Sequence, residues 1–188
     1  DDSVPSHFKF LPNLSYSKSP ENIDEDFDLF IALDSSDEDR MGDRVKEIFN
    51  KSKKTVNIDH HFSNKNYADL NIVDENSPAT CEVLARIFKY LNLQLDKEIA
   101  TSLFTGLSTD TGSFKYSSVS SKTFEIASDL FKYDIDINEV TQNVYQSRSR
   151  QKTDLLIRAM NSIEYFDKDK IAVVIVTKED IEKTKAAK

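Results

Sequence analysis

Three segments of the 188-residue sequence end an apolar run in metal-ligand chemistry. Phe30-Ile31-Ala32-Leu33-Asp34 closes on a carboxylate, and Val56-Asn57-Ile58-Asp59-His60-His61 closes on a carboxylate and two imidazoles. Leu103 to Gly112 carries Asp110 between Gly106 and Gly112, two of the only three glycines. Mixed aspartate and histidine donors suit Mn²⁺, Fe²⁺, Zn²⁺ or Mg²⁺ better than Ca²⁺. Several carboxylates around an imidazole suggest two ions, with one aspartate bridging them. Singly, each residue has an ordinary reading: Asp34 and Asp110 as turn or cap residues, His60-His61 as a polar loop. Their concentration is harder to assign to packing. Two of the three histidines stand side by side, directly after an aspartate, at the end of a β-prone run.

Composition narrows the chemistry. Lys+Arg 25 against Asp+Glu 33 gives a formal charge of −8, which argues against a broad nucleic-acid-coating surface. A short oligonucleotide held through metal ions stays open. Average glycine usage of roughly 7% predicts about 13 glycines in a chain this long; there are 3. No GxGxxG or GxxxxGK[ST] pattern exists, so any phosphate is held by another device than a glycine-rich loop. Cys81 is the only cysteine, which excludes a disulfide scaffold or a Cys-based zinc site and makes a reducing cytoplasm the default expectation. No window approaches a membrane span, and the first residues lack a signal peptide's apolar stretch.

These side chains need a scaffold. Residues 1–26 read as loop-rich, punctuated by Pro5, Pro12 and Pro20. Phe27–Leu33 reads as a buried strand, Arg44–Asn50 as a helix, and Thr55–Ile58 and Asp69–Val73 as further strands. In open α/β sheets ligands collect beyond the carboxyl ends of the strands, so Asp34 and His60 are expected to converge there. Ser77-Pro78 reads as a helix start with proline at the first helical position. Val83, Leu84, Ile87, Phe88 and Leu91 follow at helical spacing, and Ile99 to Leu107 repeat it after Asp96, a cap. Phe124, Ala127, Leu130 and Phe131 mark a third helix. Val140, Val144, Leu155, Leu156, Ala159 and Ile163 suggest a long fourth, bent near Ser147–Ser149. Ile171–Thr177 reads as a lone strand, the first element of another domain, and Lys178–Lys188 as a frayed charged tail.

Ile58-Asp59-His60-His61-Phe62-Ser63-Asn64 resembles the signature of the DHH phosphoesterase superfamily. Ala32-Leu33-Asp34-Ser35-Ser36-Asp37 with Arg40 is similar to its upstream aspartate motif, and Gly106 to Phe114 to its downstream one. The stretch from Pro5 to Leu11 fits as well, so the resemblance runs over most of the chain, Val4 to Thr177. Three ordered motifs are far more specific than the three letters DHH alone. The branch most similar is the bacterial oligoribonucleases (nanoRNases) that also dephosphorylate 3′-phosphoadenosine 5′-phosphate.

The resemblance implies an α/β fold. A parallel-sheet DHH domain lacking its first strand would cover residues 1–137, a linker helix 138–165, and the start of a DHH-associated domain 166–188. It implies Asp34 as the carboxylate bridging two Mn²⁺-type ions, with Mg²⁺ or another divalent ion as the alternative. His60 and Asp110 become ligands of one ion. Asp59 orients a histidine, and His61 faces the metals and the scissile phosphate. Asn64 shapes the loop or touches substrate. Arg148 and Arg150, with Lys152, could face substrate phosphates, although an ordinary solvated face explains them too. The implied activity is metal-assisted hydrolysis of short RNA or nucleotide phosphates, with no membrane partner and a homodimer left open. Pyrophosphate, polyphosphate, cyclic-dinucleotide and single-stranded DNA hydrolysis are alternatives, as is a non-catalytic metal- or nucleotide-binding module. Two family features have no counterpart: an earlier Asp-rich motif on the first strand, for which His7 is no substitute, and a C-terminal glycine-rich, histidine-containing motif. The sequence therefore reads as a piece of a two-domain architecture of roughly 310–340 residues, inactive by itself.

Overall fold

The computed structural model describes residues 4–186. They form two compact units, one up to Val144 and one from Tyr145 on.

In the first unit the chain winds, before its first strand, through three 3₁₀ turns, at Ser6–Phe8, Leu14–Tyr16 and Pro20–Asn22. Arg44 ties the last of them down, donating to the carbonyls of Ile23 at 2.5 Å and Pro20 at 3.4 Å. Strand β1 (Phe30–Leu33), helix α1 (Asp43–Lys51), β2 (Thr55–Asp59) and β3 (Leu70–Val73) follow. The three strands are parallel in the order β1-β2-β3. Leu33 pairs with Ile58 and Asp59 with Val73, so the register brings the ends of β1 and β2 level. This is the parallel sheet expected from the sequence, with one correction. The apolar run of β1 reads as buried on both sides, but only Ala32 is buried, while Ile31 and Leu33 are half exposed. β1 is an outer strand, covered on one face, and a pattern of apolar letters does not say which face is covered. The central strand β2 buries Thr55, Asn57, Ile58 and Asp59.

A helical layer completes the unit: α2 (Thr80–Tyr90), α3 (Lys97–Asp110), α4 (Ser121–Phe131) and α5 (Ile137–Thr141). Its core joins Ala79, Leu103, Phe104, Leu107, Leu130 and Val140. Caps set the boundaries: Asp96 accepts from the Ile99 N–H, Asp136 from those of Asn138 and Glu139, and Ser120 forms a capping box with Thr123. Pro78 is not the first helical residue. The extended, fully buried Ala79 is the N-cap of α2, and the proline precedes it. A Cβ on Gly106 would stand 2.3 Å from Cys81 Sγ, so glycine is what lets α3 lie this close to α2.

The second unit contains α6 (Arg150–Asn161), an antiparallel pair of β4 (Glu164–Phe166) with β5 (Ile171–Val173), and α7 (Lys178–Thr184). Three expectations change here. The long fourth helix is broken: a π turn at Gln142–Gln146 follows α5, and Ser149 caps α6 afresh by accepting from the Lys152 N–H. The C-terminal strand is not alone, since Glu164–Phe166 pairs with it. The charged tail is helical over Lys178–Thr184, started by a capping box between Thr177 and Asp180, and its last two residues lie outside the described ones.

Candidate metal centre

The site forms where β1, β2, α2 and α3 each end or begin. Asp34 follows β1 with φ 58°, a left-handed conformation that non-glycine residues rarely adopt. Its N–H donates to the Ile58 carbonyl at 3.0 Å, and its Oδ1 accepts from the buried hydroxyl of Thr80, the first residue of α2, at 2.8 Å.

Asp59 ends β2 with no exposed surface. Its Oδ1 accepts from the His60 N–H at 2.8 Å and from His61 Nδ1 at 2.7 Å, and its Oδ2 from Asn64 Nδ2 at 2.6 Å. Burial pushes its carboxyl up, but the hydrogen bonds from His61, Asn64 and the His60 N–H outweigh that and hold it below the ordinary range. A carboxylate so engaged orients its neighbours instead of offering itself.

The two imidazoles are oriented by their Nδ1 atoms. His60 Nδ1 lies 3.1 Å from the Ser77 carbonyl oxygen. A carbonyl can only accept, so Nδ1 carries a proton, and in the neutral imidazole Nε2 presents its lone pair. That Nε2 stands 3.6 Å from Asp34 Oδ1 and 3.9 Å from Asp110 Oδ2. The same logic at Asp59 puts a proton on His61 Nδ1 and leaves Nε2 as the acceptor of the neutral ring; His61 Nδ1 is also 3.8 Å from Asp34 Oδ1.

Asp110 is the last residue of α3. Burial first, then the charge of Asp34, raise its pKa, partly offset by His60 and His61. Among the described residues no lysine or arginine pairs with Asp34, Asp59 or Asp110; their ion-pair partners are the two histidines. Cys81 contributes no thiolate, because burial and the neighbouring Asp110 and Asp34 push its pKa to about 12.

This donor set fits a divalent cation. Ligand atoms from Asp34, Asp59, His60 and His61 lie within 4.8 Å of one another, and Asp110 joins through His60. Donors held at about 2.1 Å from one Mg²⁺-sized ion stand roughly 3–4 Å apart, which matches the spacings around His60 Nε2. Mixed carboxylate and imidazole donors suit a divalent ion that takes both oxygen and nitrogen ligands.

Asp34, Asp59, His60, His61, Asn64 and Asp110 thus come together in one place. Arg148 and Arg150 lie in the second unit, where both are exposed and Arg150 stands 3.9 Å from Asp154. Sequence reading missed Ser77 and Thr80, which aim His60 and Asp34, and Asn57, which lies beneath them. Only Asn57 left a signal, an amide in mid-strand two residues before Asp59 and therefore on the same face.

The model of the DHH family, N-terminal domain, matches residues 2–107. The bifunctional oligoribonuclease and PAP phosphatase NrnA of Thermus thermophilus is 30% identical over 141 residues, 74% of this chain and 42% of that protein. The Bacillus subtilis protein of the same name is 26% identical over 143 residues, 73% of this chain and 45% of that protein. This chain therefore spans less than half the length of these curated relatives. The crystal structure of an exopolyphosphatase-related protein from Bacteroides fragilis covers 97% of this chain and 56% of its own, with a TM-score of 0.89 at 22% identity, a likeness of fold. The family match, spanning more than half of the sequence, places this chain in the DHH family.

Proposed function

We propose that this chain carries the metal-binding half of a two-metal phosphoester hydrolase acting on short oligoribonucleotides or on nucleotide phosphates such as 3′-phosphoadenosine 5′-phosphate. The observation that carries the reading is His60 Nε2, freed by the bond to Ser77 and held 3.6 and 3.9 Å from Asp34 and Asp110. Asp34, His60 and Asp110 would hold the metal in this reading, with Asp34 as the carboxylate shared by two ions; Asp34 and Asp110 are the two carboxylates that face His60 Nε2. A bound divalent ion, Mn²⁺ in this reading, supplies positive charge that neutralises phosphoryl oxygens and renders water acidic enough to act near neutral pH.

The remaining roles belong to the chain. Asp59 fixes the tautomer of His61, whose Nε2 then accepts or returns a proton beside the phosphate. Asn64 holds Asp59 in place. The substrate class draws on the names of the NrnA relatives and on Phe62, which is 88% exposed beside His61. Phe62 lines an open hollow of ≈ 340 Å³ together with Asn64, Asn66 and Asn76, and an exposed ring is a surface on which a base can stack. Arg148 and Arg150 are secondary contacts to substrate phosphates in this reading. A DHH domain over residues 1–137, a connecting segment over 138–165 and the start of an associated domain over 166–188 make up its organisation. A reducing, cytoplasmic setting rests on the single cysteine. Among the described residues no helix is long and apolar enough to cross a membrane.

The test is Mn²⁺-dependent release of mononucleotide from a dinucleotide, and of phosphate from 3′-phosphoadenosine 5′-phosphate, by the protein carrying this sequence. Turnover in Mn²⁺ that disappears in Asp34→Ala and His60→Ala supports the assignment. Turnover that survives either substitution removes it.

A further inference from the structure

Asn57 is out of place by the usual preferences of a strand. Amide side chains are depleted in sheets, yet Asn57 has no exposed surface in the central strand β2, where an unpaired amide is costly. All its polar positions are used. Its Oδ1 accepts from Asn64 Nδ2 at 2.7 Å. Its Nδ2 donates to the Ser35 carbonyl at 3.1 Å and the Tyr67 hydroxyl at 3.0 Å, with the Ala32 carbonyl at 3.4 Å. Tyr67 in turn donates to the same Ser35 carbonyl at 3.0 Å, which Asn64 Nδ2 also approaches at 3.4 Å.

The direction of this network is fixed. Asn64 Oδ1 accepts from the Asn66 N–H at 2.7 Å, so its nitrogen faces both Asn57 and Asp59. An unbroken chain of hydrogen bonds then links His61, Asp59, Asn64, Asn57 and the Ser35 carbonyl. Ser35 directly follows Asp34, whose left-handed backbone persists only where the surroundings over-determine it. Donors converging on the Ser35 carbonyl supply that constraint.

The geometry points to Asn57 as a positioning residue that locks the Asp34 bend to the Asp59–His61 pair, so that the two halves of the metal centre keep one mutual arrangement. The inference rests on the reading of Asp34 as a metal ligand given above. Asn57 touches neither ion nor substrate and acts through Ser35 and Asn64. Tyr67 reinforces it.

Asn57→Asp keeps the shape, removes both N–H donors and places a second carboxylate near Asp59. In the metal-free protein, hydrogen exchange over residues 34–37 and 64–67 should accelerate while the core amides of α3 keep their protection. Calorimetry with Mn²⁺ alone should show affinity reduced about 10- to 100-fold, the usual consequence of losing an outer partner of a metal ligand. Tyr67→Phe removes one donor to the Ser35 carbonyl and should give a smaller shift of both readouts; it carries the test if Asn57→Asp does not fold. Unchanged Mn²⁺ affinity in the folded variants overturns the inference, whether exchange stays the same or rises uniformly. The two levels separate through the wild type. Mn²⁺ uptake lost in Asp34→Ala but kept in Asn57→Asp sinks the positioning role alone, whereas no uptake by the wild type sinks the metal reading and this inference with it.

Discussion

The Nδ1–H of His60 donates to the Ser77 carbonyl at 3.1 Å, from a strand end to the segment that leads into α2. That bond decides which nitrogen of the imidazole meets Asp34 and Asp110, and it ties the sheet to the helical layer at the point where the charges gather.

The tautomers follow directly. In the metal-free protein, at a pH where both imidazoles are neutral, His60 and His61 should each carry the proton on Nδ1, bonded to Ser77 and Asp59 respectively. Nitrogen-15 NMR of the two rings checks it. An Nε2-protonated His60 would contradict the orientation described here.

The contact between α2 and α3 behind the site is tested by Gly106→Ala. The new methyl would meet Cys81 Sγ at 2.3 Å, and overpacking of this kind costs about 1–3 kcal/mol. The loss should shrink in the Cys81→Ala background, where the sulfur is gone, and a double-mutant cycle from denaturant melts measures the coupling. Equal losses in both backgrounds would place the strain elsewhere.

Much of the candidate site was legible because each proposed ligand follows an apolar run: Asp34 after Ile31-Ala32-Leu33, His60 after Val56 to Ile58, Asp110 after Leu107. The strands are legible in the same runs, and their parallel pairing in the resemblance to the DHH superfamily. What stayed hidden depends on chain reversals. Thr80 reaches Asp34 across 46 residues, and Tyr67 reaches Ser35 across 32, and no local pattern encodes such pairs. The half-exposure of Ile31 and Leu33 depends on what covers β1, which the strand itself does not record. The break before α6 and the start of α7 were readable in principle, as serine and threonine caps. Apolar periodicity masked the first, and the density of lysines masked the second.

Asp74, directly after β3, gives a pH dependence through an ion pair of its own with Arg86. The hydrogen bond from Arg86 Nη2 at 2.5 Å holds its carboxyl below the ordinary value of 3.8, against the opposing effect of burial. A depressed folded-state pKa stabilises the protein above the unfolded value and loses that contribution as pH falls through the folded one. Asp74→Asn should therefore destabilise at neutral pH, and the difference from wild type should narrow below about pH 4. Thermal melts at pH 7 and pH 3 measure it; a gap that stays constant with pH would show the ion pair to be idle.

Phe62→Ala tests the base-stacking surface. Stacking of a base on an aromatic side chain contributes about 1–3 kcal/mol, so KM for a dinucleotide should rise roughly 5- to 150-fold with kcat little changed. Steady-state kinetics separate the two. A fall in kcat at constant KM would assign Phe62 to the geometry of His61 instead.

The most direct test of the metal centre is a Mn²⁺ titration of the wild-type chain and its His60→Ala variant, with free ion counted by electron paramagnetic resonance. The geometry around His60 Nε2 predicts that the wild type removes Mn²⁺ from solution and that His60→Ala, still folded by circular dichroism, leaves the ion free at the same concentrations. Identical uptake by the two proteins would contradict the central claim.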